Sequence, residues 1–181
     1  MKESKSGRFL GHIHFDASNA RSNLSDVLAL PDQLEWIFRN KYVQISTPIK
    51  SQQFLARIVE GPFFVPEEVG RDSAFAQTAI LHGEEFKALP SFYMLARAEI
   101  LGELRDGAMF GTGTRPIPKS VVRDLSTEEI EKLIGLKGDM ILGVLSGYPG
   151  VLVTLDSKSK KVLPRNVGIF GTVGSGKMNT A

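Results

Sequence analysis

The 181-residue chain contains no cysteine. That excludes a disulfide framework and any zinc site built on thiolates, and it suits a cytoplasmic protein. An excess of one charge is lacking too: 22 lysines and arginines stand against 20 aspartates and glutamates, for a formal net charge of +2. So small an excess does not mark a nucleic-acid module, which carries a concentrated basic face. Nor is there a long apolar run. The opening Met1-Lys2-Glu3-Ser4-Lys5-Ser6 is polar and nothing of transmembrane length follows, so neither a signal peptide nor a membrane span is expected.

What is present is 42% hydrophobic residues, enough for a buried core, and much of it alternates. From Arg8 to Phe15 the pattern places Phe9, Ile13 and Phe15 on one face of a strand. Lys41 to Thr47 groups Val43, Ile45 and Thr47, and Gln53 to Val59 groups Phe54, Ala56 and Ile58. A longer strand is expected from Ser91 to Leu104, with Ala96, Ala98, Ile100 and Leu104 inward and Arg97, Glu99 and Glu103 outward. Met140 to Leu145 and Val151 to Leu155 flank the turn cluster Ser146-Gly147-Tyr148-Pro149-Gly150 and read as a hairpin.

Many short strands, glycine-rich turns and little helix predict a mainly β fold, a barrel or a sandwich. The barrel is preferred because a closed sheet hides its own edges. Two short helices are expected. One spans Pro31 to Arg39; the other starts at Ser126, where Ser-Thr-Glu-Glu has the form of a capping box and Ile130, Leu133 and Ile134 make an apolar stripe. Residues 61–90 show no sustained period and read as an insertion between strands, partly helical from Asp72 to His82.

Several candidate sites reduce to ordinary surface. His12 and His14 share a strand face and could bind a metal together, but no third ligand is evident. Glu128, Glu129 and Glu131 stand at a helix start, where carboxylates favour the dipole. Gly111-Thr112-Gly113-Thr114-Arg115-Pro116 lacks the lysine and following helix of a phosphate loop. Lys158, Lys160, Lys161 and Arg165 form the densest basic run. They are read as a solvated turn, since phosphate contacts need many cations on one surface.

The most specific signal is Asn166-Val167-Gly168-Ile169-Phe170-Gly171-Thr172-Val173-Gly174-Ser175-Gly176-Lys177, an apolar strand feeding a glycine-rich turn that ends in lysine. Glycines 171, 174 and 176 let the backbone turn tightly and aim successive N–H groups inward, making an anion nest. A following helix would direct its positive end at the same phosphate, and Lys177 would reach the β- and γ-phosphates. The next residue of such loops normally gives Mg²⁺ a hydroxyl. Here it is Met178, whose thioether is too soft for that ion. Thr180 carries a hydroxyl, but two helical positions on is about 200° around the helix. A nucleoside triphosphatase needs a whole α/β domain after this loop, and only Met178-Asn179-Thr180-Ala181 follow. A degenerate site, an altered end of a longer gene and a shortened chain all fit that pattern.

The stretch from Leu163-Pro164-Arg165-Asn166 through Lys177-Met178-Asn179-Thr180 resembles the start of the ATPase domain in HerA-like proteins of the FtsK/HerA superfamily. In that family a Pro-Arg-His segment leads into a strand and a Gly-Ser-Gly-Lys-Ser-Asn-Thr loop. Asn166 stands in place of the histidine and Met178 in place of the serine. The match is tight over residues 163–180 and loose elsewhere. It implies hexameric, ATP-driven DNA translocases or helicases that act in DNA end processing and repair, often with a NurA-type nuclease. It implies further that residues 1–162 form a small amino-terminal β-barrel of the HerA and ATP synthase type, with the insertion at 61–90. Residues 163–181 would then begin a RecA-like α/β domain with its first strand and P-loop.

On this resemblance Gly171, Thr172, Val173, Gly174, Ser175, Gly176 and Lys177 would hold ATP, with Mg²⁺, in the complete protein. This chain by itself is expected to bind neither and to be inactive, contributing instead to ring assembly and partner docking. The alternative is a stand-alone β-barrel interaction module that never binds nucleotide. A rotary ATP synthase-like subunit fits the Gly-Ser-Gly-Lys-x-Asn-Thr form less well.

Overall fold

The computed structural model describes residues 7–16, 23–49, 51–67, 74–81, 91–134 and 138–159. In chain order the elements are β1 (Phe9–Ile13), β2 (Leu24–Ala29), a 3-10 helix (Pro31–Trp36), β3 (Tyr42–Ser46), β4 (Gln53–Pro66), α1 (Ala74–Leu81), β5 (Phe92–Arg105), β6 (Ala108–Phe110) and β7 (Val121–Asp124). Then come α2 (Thr127–Ile134), β8 (Met140–Leu145) and β9 (Tyr148–Leu155). They fall into two compact units, Met1–Ser126 and Thr127–Ala181. The boundary expected between 162 and 163 lies outside the described residues.

In the first unit the strand order is β2-β1-β7-β3-β4-β5, and a further pairing of β2 with β5 joins the ends. The result is a closed six-stranded barrel in which every neighbouring pair is antiparallel. The expected mainly β barrel is therefore present. Its interior holds Leu10, Ile45, Phe54, Ile58, Met94 and Val122, each at most 1% exposed. Burying one such side chain contributes roughly 1.5–3 kcal/mol. Ala56, Ala96 and Ala98 lie in the same core, and their small size lets the walls of a narrow barrel approach. The expected inward sets of β3 and of the first half of β4 are buried as the alternation requires.

Departures from simple alternation trace to bulges. The β1–β7 register shifts between Phe9 and Gly11, so Leu10 enters the core while Phe9 is turned out. Phe15 lies beyond the strand and is exposed, so the single apolar face expected for Phe9, Ile13 and Phe15 is not formed. In β5, Leu55 pairs with Gly102 and Ala56 with Ile100, which leaves Leu101 as the extra residue. One inserted residue reverses every side chain beyond it. Glu103, expected outward, is consequently buried, and Leu104 is only half-buried.

Residues 61–66, expected to open an insertion, instead continue β4 opposite Phe92–Leu95. Their lost period has a local cause. Two register shifts bracket Glu60. Gly61 has φ +98°, and a Cβ there would lie 2.8 Å from the Leu95 carbonyl oxygen. No other residue type fits that position without strain. The helix expected over Asp72–His82 is found as α1.

In the second unit α2 packs on β9, and Ile130 on the helix and Tyr148 and Val151 on the strand are buried. Glu128 and Glu129 occupy its first turn and Lys132 its last, the arrangement that suits the helix dipole. The β8–β9 turn is tighter than the five-residue cluster suggested. Tyr148 already pairs with Leu145, leaving Ser146-Gly147, with Gly147 at φ 82°.

Candidate functional site

Gly171, Thr172, Val173, Gly174, Ser175, Gly176, Lys177 and Met178 lie outside the described residues, as do Lys160, Lys161 and Arg165. Lys158 sits in the turn after β9, where its backbone N–H donates to Asp156 Oδ1 at 3.0 Å.

His12 is exposed on β1 with its ring edge-on to Phe9, centroids 5.0 Å apart. His14 has left the strand and holds Nδ1 3.0 Å from the Phe15 carbonyl oxygen. Among the described residues no group of three or more His, Asp or Glu side chains is placed to hold a metal ion.

The 111–118 segment is a surface loop stiffened from within. Thr112 Oγ1 accepts the Thr114 N–H at 3.0 Å, and the two hydroxyls lie 2.9 Å apart. Arg115 turns away from solvent to donate to the Leu24 carbonyl at 2.7 Å and to Asp16. A guanidinium committed in this way staples the loop to the start of β2 and is not presented to a phosphate.

The charges that the fold does assemble come from three strands. Arg97 on β5 donates through Nε to Asp26 on β2 at 3.1 Å and through Nη1 to Glu60 on β4 at 3.0 Å. Beside it, Arg57 on β4 donates to Glu99 on β5 at 2.8 Å. Each carboxylate has a guanidinium partner, so the ladder cross-links the barrel wall and leaves no spare acid or base. Glu103 behaves likewise. The hydrogen bond from Arg105, at 2.7 Å, holds its carboxyl below the usual range and raises Arg105 in turn. Sequence pattern marked Arg97 and Glu99 as outward, but Asp26 and Glu60 carry no local signal of their role.

At one end of the barrel the chemistry is apolar. The register places Ala29 opposite Met94, Val65 opposite Tyr93 and Pro66 opposite Phe92, so the end of β2, the end of β4 and the start of β5 share that end. Phe64 and Phe92 meet edge to face at 5.7 Å, and Leu30, Leu34, Phe63 and Phe64 are all exposed. The 3-10 helix lies near this end, with Trp36 packed on the core and the Arg8 guanidinium 3.9 Å over its ring. Such a surface offers contact area.

No protein-family model matches this chain, and no curated protein matches it. Among the described residues no helix is long and apolar enough to cross a membrane.

Proposed function

We propose that this chain is the amino-terminal part of a hexameric, ATP-dependent DNA translocase or helicase of the HerA-like kind, cytoplasmic and engaged in DNA end processing. The observation that supports it is an order of parts: a closed antiparallel barrel, then a sequence of the form Gly-x-x-x-x-Gly-Lys. On this reading the barrel is of the HerA and ATP synthase type, serves ring assembly, and docks a NurA-type nuclease. Gly171 to Lys177 hold the phosphates of ATP, the backbone supplying N–H donors and Lys177 a point charge. Met178 leaves Mg²⁺ without its protein hydroxyl, so the ion would rest on phosphate and water oxygens.

Calorimetric titration of ATP and Mg²⁺ into the complete motor, as it stands and with Met178→Ser, tests this. Binding that is strengthened by the serine and lost with Lys177→Ala supports the reading; no binding to either form refutes it. The exposed aromatic end of the barrel favours a second reading, an interaction module that needs no nucleotide. Partner capture unchanged by ATP, with no heat of nucleotide binding, would select it.

A further inference from the structure

A closed barrel has no free edge, but β6 hangs outside the closure and hydrogen-bonds, among the described residues, to β5 alone. The β5–β6 turn is Asp106-Gly107, with φ 51° and 75°, the two-residue form that matches strand twist. Arg105 and Ala108 close it as the hydrogen-bonded pair, so the next pair, Leu104 with Met109, is the non-bonded one. The N–H and C=O of Met109 therefore aim away from β5. All three β6 residues are exposed, Met109 at 46% and Phe110 at 50%. None is charged and none is proline, so β6 carries neither of those common guards against edge pairing.

We propose that β6 is the contact through which two copies of this chain pair, antiparallel, about a two-fold axis passing through Met109. The register itself argues for a second copy. Centred on Met109, it sets Phe110 against the partner's Ala108 and the reverse, large beside small on both sides of the axis. Further out, Asp106 faces the partner's Thr112 and Arg105 the partner's Gly113, so no like charges meet. Arg105 is in any case already bound to its own Glu103 at 2.7 Å. Such a contact is self-complementary and closes at two, whereas a ring needs head-to-tail contacts. The inference therefore stands or falls independently of the translocase reading.

The absence of cysteine makes the test direct. Opposed residues of a bonded antiparallel pair have Cα atoms about 5.5 Å apart, within the range a disulfide spans. The full chain with Met109→Cys is expected to oxidise to a covalent dimer about tenfold faster than one with Glu35→Cys, an exposed control on the 3-10 helix. Met109→Lys brings two ammonium groups together across the axis and is expected to weaken the dimer about tenfold in sedimentation, its aliphatic stem still covering Gly102. Equal oxidation rates for the two cysteine variants would overturn the proposal. So would a wild-type chain that stays monomeric at every concentration, or a folded Met109→Lys chain that dimerises like wild type. Should the lysine variant fail to fold, the cysteine comparison decides.

Discussion

Lys41 Nζ stands 2.6 Å from Asp124 Oδ1, with side-chain exposures of 7% and 16%. The pair joins the residue before β3 to the last residue of β7, where Val43 pairs with Asp124. The Phe38 ring lies 5.2 Å from the ammonium. Removing one member of a buried pair strands the other charge in a poor solvent for it. Lys41→Met is expected to cost about 3 kcal/mol in urea unfolding at neutral pH, and Lys41→Met with Asp124→Leu markedly less. Equal costs for the single and the double change would show that no stranded carboxylate was involved.

Gly102 owes its place to β6. A Cβ added there would lie 2.6 Å from the Phe110 carbonyl oxygen and 2.7 Å from Met109 Cγ. The first contact is backbone and cannot swing aside. Gly102→Val is expected to push β6 off β5 at a cost of about 1–3 kcal/mol, read as lost amide protection at Ala108 and Phe110 while the barrel core stays protected.

The three-strand ladder around Arg97 is partly wet, with Arg97 33% and Glu60 50% exposed at their side chains. Screening should therefore govern it. Arg97→Met is expected to lower stability by about 1 kcal/mol in dilute buffer, with most of the difference gone in molar salt. A difference insensitive to salt would assign the loss to packing of the arginine stem.

Asp139 anchors the start of β8 to the turn after β9. The Ser157 hydroxyl donates to its Oδ2 at 2.5 Å and the Ser157 N–H to its Oδ1 at 2.8 Å. The hydroxyl bond first, and the N–H bond after it, hold this carboxyl below the usual aspartate range. A depressed folded pKa contributes stability that is complete above the unfolded value, near 3.9, and lost as the pH falls through the folded one. Protection of the β9 amides, taken relative to the intrinsic exchange rate at each pH, should therefore fall in acid for the wild-type chain. Asp139→Asn should already show lower protection at neutral pH that changes little with acid, and a wild-type protection profile in that variant would remove Asp139 from the account.

Much of the barrel was legible along the chain. The inward faces of β3 and early β4 follow from apolar periods that tertiary contacts did not override, the span of α2 from its helical pattern, and the β8–β9 hairpin from its turn residues. β2 and β7 were not legible, being short strands whose pairing partners are distant, and β6 was missed although Asp106-Gly107 is a two-residue turn that joins it to β5. The bulge at Leu101 was invisible for a related reason, since one extra residue is an extra only relative to the opposite strand. Of the candidate residues, His12 lies exposed on β1, as its spacing suggests, and His14 follows the last residue of that strand.

What the sequence determined by itself is the chemistry available: no thiol, nearly balanced charge, strand-forming alternation, and a glycine-rich run ending in lysine. Side-chain period and backbone freedom are properties of neighbouring residues, so they can be read locally. Tertiary structure alone decided that β2 closes on β5, that Arg97 takes carboxylates from two other strands, and that β6 is left as an edge. Those outcomes depend on which segments, far apart in the chain, satisfy one another's hydrogen bonds and charges, and no local pattern carries that information.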